Sequence, residues 1–181
     1  SERLQKSGAV QTFKRWFFAI GSDPAPAQSA AAELVDRCPI IVAAVDTDNA
    51  TPELLSRLCE TVRRQLLTEP GARLACVSVM KTARIGMDEL VDADGRSRHV
   101  KQLVGLKHWA RPISKSLNLG EGRLTFHVLE APDPAAAIIE FAQRNQVDHI
   151  VMGARASSAL RRYLGSVSAQ VVANAECTVT V

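Results

Sequence analysis

The stretch Val147–Ser168, VDHIVMGARASSALRRYLGSVS, decides how the rest of the chain is read. His149-Ile150-Val151-Met152 is a short apolar run of the kind that forms a buried strand, and it stops at Gly153. A polar stretch with Arg155, Ser157, Ser158, Arg161 and Arg162 follows. Gly165-Ser166 then opens a run, Val167 to Ala175, that reads as a helix. A strand-to-helix connection of roughly a dozen residues is long against the usual ~2–6, and loops of that length are as a rule functional or disordered. Small residues, hydroxyls and arginines leading into a helix N-terminus suit an anion, because free backbone N–H groups and the helix dipole point there. A solvated loop closed by a Ser N-cap fits the same residues equally well.

Outward from this stretch, strand and helix alternate. Pro39–Val45 (PIIVAAV) is a continuous apolar run ending at Asp46, the pattern of a buried strand. Thr51-Pro52-Glu53 starts a helix, with Thr as N-cap, Pro at the first helical position and an acid facing the dipole. Its apolar face is Leu54, Leu55, Leu58, Val62, Leu66 and Leu67, and Pro70-Gly71 ends it. Arg73–Met80 reads as a second strand. Arg98–Asn118 reads as a helix with Val100, Leu103, Val104 and Trp109 towards the core, and Pro112 is expected to kink or split it. Arg123–Leu129 alternates and reads as a third strand, with His127 on its polar face. Asp133-Pro134 starts a helix over Ala135–Arg144 that turns Ile138, Ile139, Phe141 and Ala142 inward. Cys177–Val181 is a fifth strand.

This order predicts an α/β fold: an open five-stranded parallel sheet with helices on both faces, a Rossmann-like or flavodoxin-like three-layer sandwich. Right-handed crossovers leave few topologies. In the flavodoxin-like order 2-1-3-4-5, or a close relative, the chain reverses direction at one place, and ligands bind there beyond the C-terminal strand ends. With Asp46 and Gly153 as neighbours across that place, their loops form one cleft. Asp46 would accept hydrogen bonds from ribose hydroxyls. Gly153 would let the backbone approach a sugar, and Gly165-Ser166 would offer N–H and O–H groups to phosphate. A turn or N-cap role is the other reading of Asp46.

With 181 residues, 46% hydrophobic and 23% charged, the chain suits one globular domain plus an extra segment. The extra segment is 1–37 and the domain 38–181. Phe13, Trp16, Phe17 and Phe18 are half of the chain's aromatics, and Val10, Phe13, Phe17 and Ile20 share one helical face. A helix docking on a membrane surface or partner is one reading; a linker helix packed on its own domain or a neighbour is the simpler. Ser22–Ala32 is a Pro- and Ala-rich connection. The opening Ser in place of Met fits a piece cut from a longer protein.

The net charge of +3, with basic residues scattered, does not indicate a nucleic-acid partner. No apolar run approaches the ~20 residues of a membrane span, and the first residues lack a signal-peptide pattern. Cys38, Cys59, Cys76 and Cys177 form no C-x-x-C pair and have no His at metal spacing, so no metal site is expected and a cytoplasmic location is. Asp88, Glu89, Asp92 and Asp94 lack the calcium-loop pattern. Lys101, Lys107, Arg111 and Lys115 are most simply a solvated face. Neither G-x-x-x-x-G-K-[ST] nor G-x-G-x-x-G occurs, and no kinase catalytic motif or Ser/His/Asp set can be assigned. No catalytic residue is therefore expected in this chain.

Val151-Met152-Gly153-Ala154-Arg155-Ala156, Gly165-Ser166-Val167-Ser168 and Cys177–Val181 together resemble the universal stress protein family, with the similarity covering Cys38–Val181. ATP-binding members of that family carry Gly, two residues, Gly, nine residues, then Gly-Ser or Gly-Thr. Here Gly153 matches the first glycine and Gly165-Ser166 the closing pair. Ala156 stands at the second glycine, with eight residues between it and Gly165, one short of nine, and Pro132 stands at another usual glycine.

The resemblance implies an adenine nucleotide alpha-hydrolase-like fold and a cleft for ATP, possible Mg2+ included. It implies that Asp46 contacts the ribose, that Val79 lies near the adenine, and that Met152 and Gly153 contact adenine and ribose. Gly165, Ser166 and Ser168 fall at the phosphate end, and Val45, Arg155 and Ala156 complete the set. It also implies a homodimer through strand 177–181, since an apolar edge strand needs a partner or cover, and a stress-response regulatory role. The whole, aromatic segment included, resembles the C-terminal part of bacterial proteins that join a serine/threonine kinase to such a domain. Replacing a glycine of positive φ by Ala costs roughly 1 kcal/mol unless the backbone changes, and the methyl could stand where a phosphate oxygen approaches. Ala156 and Pro132 therefore set a nucleotide-free dimerisation module against the nucleotide-binding one. Weak ATP hydrolysis or self-phosphorylation on Ser157, Ser158 or Ser166 ranks third.

Overall fold

Ile40–Ala44 forms β1, and all five of its side chains are buried. They divide between two cores. Ile41 and Ala43 pack with Leu58, Val62, Leu106 and Trp109, while Ile40, Val42 and Ala44 pack with Ile138, Phe141, Ile150 and Val171. A strand covered on both faces needs an apolar residue at every position, which is why this run has no polar interruption. The computed structural model describes residues 38–82, 97–154 and 166–181. The aromatic segment and linker of 1–37 and the acids of 88–94 lie outside the described residues.

Among the described residues β1 is followed by α1 (Pro52–Thr68), β2 (Arg73–Lys81), α2 (Arg98–Leu117), β3 (Leu124–Ala131), α3 (Pro134–Arg144), β4 (His149–Met152), α4 (Ser166–Asn174) and β5 (Thr178–Thr180). Every strand pair is parallel, so the fold is the open five-stranded parallel sheet with helices on both faces. The strand order is β3-β2-β1-β4-β5, not 2-1-3-4-5. The chain adds two strands on one side of β1, then crosses back and adds two on the other. With right-handed crossovers, reversing direction moves the helices to the opposite face. α1 and α2 accordingly build one core and α3 and α4 the other.

Asp148 locks the crossing. Its Oδ2 accepts from Ile40 N at 2.8 Å, and its N–H donates to Ile40 O at 3.0 Å, which sets β4 in register beside β1. The helix starts follow from their caps. Thr51 Oγ1 accepts from Leu54 N at 3.2 Å, and Asp133 Oδ1 from Ala136 N at 3.2 Å.

Three expectations fail on side-chain placement, and one helix is not split where a kink or split was expected. Val104 of α2 is 61% exposed and Val100 also faces solvent, because the buried face runs Gln102, Leu106, Trp109, Ala110 and Ile113. Pro112 does not split α2, which continues to Leu117; Trp109, Ala110 and Ile113 anchor the helix on both sides of it, while Pro112 and His108 are exposed. Leu67 is exposed, since its neighbour Leu66 holds the inward position of α1. His127 is buried rather than on a polar face: β3 has helices on both sides, and His127 meets the Phe141 ring of α3 at 5.1 Å.

Candidate functional site

The strands end at different heights. Ala44 of β1 lies opposite Met152 of β4 and opposite Val77 of β2, but β2 runs four residues further, to Lys81. At about 3.3 Å per residue, that overhang is roughly 13 Å. It forms one wall of a hollow of about 370 Å³ over the ends of β1 and β4. This is the place where the sheet order reverses, between β1 and β4.

Val45, Asp46, Val79, Met152, Gly153, Ser166 and Ser168 all line that hollow. Arg155, Ala156 and Gly165 lie outside the described residues, as do Ser157 and Ser158. Val45 and Met152 are buried and Val79 half-buried, giving an apolar base. The Val45 N–H donates to Val77 O at 2.8 Å, which carries the β1–β2 ladder one residue past the strand. Asp46 is exposed at the start of the β1–α1 loop. Its Oδ1 accepts from Asn49 N at 3.1 Å and Asn49 Nδ2 at 3.2 Å, so the turn role is observed while the residue also lines the hollow. Ser166 and Ser168 bring the first turn of α4, the end of a helix at which backbone N–H groups point outward, to the hollow as well.

Several lining residues were not anticipated: Asp48 and Leu54 from the β1–α1 side, Lys81 at the end of β2, and Arg98 in the first turn of α2. Behind them lies Gln102, buried in α2. Its Oε1 accepts from Thr47 Oγ1 at 2.7 Å and from Ser78 Oγ at 3.1 Å, and its Nε2 donates to Asp48 Oδ2. The available signal was a polar residue in the buried register 102, 106, 109, 113 of α2. No group of three or more His, Cys, Asp or Glu able to hold a metal occurs among the described residues.

An apolar base, hydrogen-bond acceptors and helix N–H groups suit a ligand with a flat apolar ring, hydroxyls and an anionic end. The profile of the universal stress protein family matches residues 39–181. The chain belongs to the universal stress protein family. No curated protein matches it in sequence. A solved universal stress protein in complex with cAMP superposes with a TM-score of 0.52 at 16% identity, covering 79% of this chain and 94% of its own. A family protein from Arabidopsis thaliana with AMP bound gives 0.51 at 18% identity, covering 78% and 89%. The protein MJ0577 gives 0.51 at 19% identity, covering 79% and 94%. These similarities confirm the fold of this family member. None of its described helices is long and apolar enough to cross a membrane.

Proposed function

We propose that this universal stress domain binds an adenine nucleotide, ATP or a relative, in the cleft between β1 and β4, and acts as a stress-response regulator through pairing of two copies. The observation that carries the reading is the convergence of seven residues from four chain segments on one hollow: Val45 and Asp46, Val79, Met152 and Gly153, and Ser166 and Ser168. The relatives solved with cAMP and AMP support adenine as the base. Val79 and Met152 supply apolar contact for the ring, Asp46 an acceptor for ribose hydroxyls, and the α4 N-terminus with Ser166 and Ser168 the donors for phosphate.

Thermal melting with and without ATP, AMP and cAMP tests the reading. A ligand at about 100 times its Kd adds about 2.7 kcal/mol of stability. A shift with at least one of the three, abolished by Asp46→Ala, is the expected result. No shift with millimolar concentrations of any of them would end it. Ala156 favours a second reading, a nucleotide-free module that pairs attached domains, on the resemblance above a serine/threonine kinase. That reading requires pairing without any nucleotide shift, and predicts that Ala156→Gly creates one.

A further inference from the structure

Gln102 occupies a core position on α2 that an apolar residue would fill at less cost, because a buried amide must find partners for each of its polar atoms. It finds them on two other elements: Thr47 and Asp48 of the β1–α1 loop, and Ser78 of β2. Ser78 is itself buried. Gly105, one turn further along α2, sits beneath the same loop, where a Cβ would be 3.8 Å from the Thr47 side chain. The loop that carries Asp46 and Asp48 into the cleft is thus held from below by one side chain. Nε2 of Gln102 fixes the Asp48 carboxylate by its Oδ2, and Oδ1 of Asp48 makes no further hydrogen bond among the described residues.

We infer that Asp48 is a second ribose-recognising carboxylate of the cleft and that Gln102 is the residue that positions it. The inference rests on the adenine-nucleotide reading. Asp46 and Asp48, two residues apart on one loop, offer hydrogen-bond acceptors to the hollow, so the hydroxyl-bearing part of the ligand belongs there and the anionic end belongs at the α4 N-terminus. A ribose presents two vicinal hydroxyl donors, and two carboxylates held in fixed positions present two acceptors. A site built to bond a hydroxyl rejects the analogue lacking it, since the acceptor is then left without its partner. Asp48 therefore makes the cleft selective for ribonucleotides over their deoxy counterparts. Gln102 acts through Asp48 and touches no ligand itself.

Isothermal titration of the full chain with ATP, 2′-deoxy-ATP and 3′-deoxy-ATP tests this. The unaltered protein is expected to favour ATP over at least one deoxy analogue by about tenfold or more. Asp48→Asn and Gln102→Met should each reduce that ratio to below about threefold. Leu106→Ala, one turn along α2 and outside the cleft, serves as control. It should lower Tm like Gln102→Met yet keep the ratio, which separates positioning from simple loss of stability. If Asp48→Asn or Gln102→Met keeps the full ratio, or if the unaltered protein binds all three alike, the inference falls while nucleotide binding stands. Absence of binding to all three would overturn the nucleotide reading and this inference with it.

Discussion

Leu54 of α1 lies so close to Gly153 at the end of β4 that a Cβ on the glycine would stand 3.1 Å from Leu54 Cδ1. The contact joins the first turn of α1 to the strand end and closes the base of the cleft. Gly153→Ala is expected to destabilise the domain by about 1 kcal/mol, because Leu54 must give way. The cost should largely vanish in a Leu54→Ala background. Urea unfolding of the two single variants and the double variant checks this, and simple additivity would show that the two side chains do not compete for the space.

His127 gives the domain a pH dependence of definite sign. Burial holds its imidazole down at about 4, from an ordinary 6.5. Its ring nitrogen Nε2 is paired with Thr125 Oγ1 at 2.9 Å. The unfolded chain takes up the proton at higher pH than the folded one does. The stability associated with the neutral ring is therefore complete above pH 6.5 and lost progressively as pH falls towards 4, a range worth roughly 3 kcal/mol. Urea midpoints measured across that range should fall less steeply for His127→Leu than for the unaltered protein. Parallel curves would show that His127 is not the group responsible.

The cysteines should differ sharply in reactivity. Cys76 is fully buried in β2, and burial pushes its thiol far above the ordinary range. Burial also raises Cys59 and Cys177, which are only partly covered. Only the thiolate reacts quickly with alkylating agents. Iodoacetamide at pH 8, followed by peptide mass analysis, should leave Cys76 unmodified in the folded protein and modify it in urea. Rapid labelling of Cys76 without denaturant would mean that the central strands open readily.

β5 is an edge strand, with one side of its backbone turned away from β4. Val179 packs towards the α3–α4 core, whereas Val181 is 45% exposed. If the proposed pairing of copies runs along this edge, Val181→Asp should convert a dimer to a folded monomer in sedimentation. Val179→Asp should instead lower Tm by several degrees, through its core contact. A dimer unchanged by Val181→Asp would move the interface elsewhere.

The elements themselves were legible in the sequence because each carries its own local signal. PIIVAAV is too short and too continuously apolar for a surface helix, and Thr51-Pro52 and Asp133-Pro134 begin helices by cap chemistry that involves only neighbouring residues. The phase of α2 was less legible. Val100 and Val104 looked like core residues by type, but the helix turns Gln102 inward because Thr47, Asp48 and Ser78 satisfy it there. His127 was misplaced for the same reason: alternation along β3 marks two faces but does not say that α3 covers the one carrying Thr125 and His127. Lys81 and Arg98 were missed at the cleft because neither belongs to a local motif, and only the overhang of β2 and the start of α2 bring them there.

The order of residues alone determined the alternation of strand and helix, hence a parallel sheet covered on both faces, since apolar runs and caps act over a few neighbouring residues. Only the tertiary structure decided that β4 returns to the side of β1 away from β2, so that Asp46 and Gly153 border one hollow. Strand neighbours separated by more than a hundred residues are chosen by long-range packing and by contacts such as Asp148 with Ile40. No short stretch of sequence encodes such a choice, because its free energy belongs to the two surfaces only once they meet.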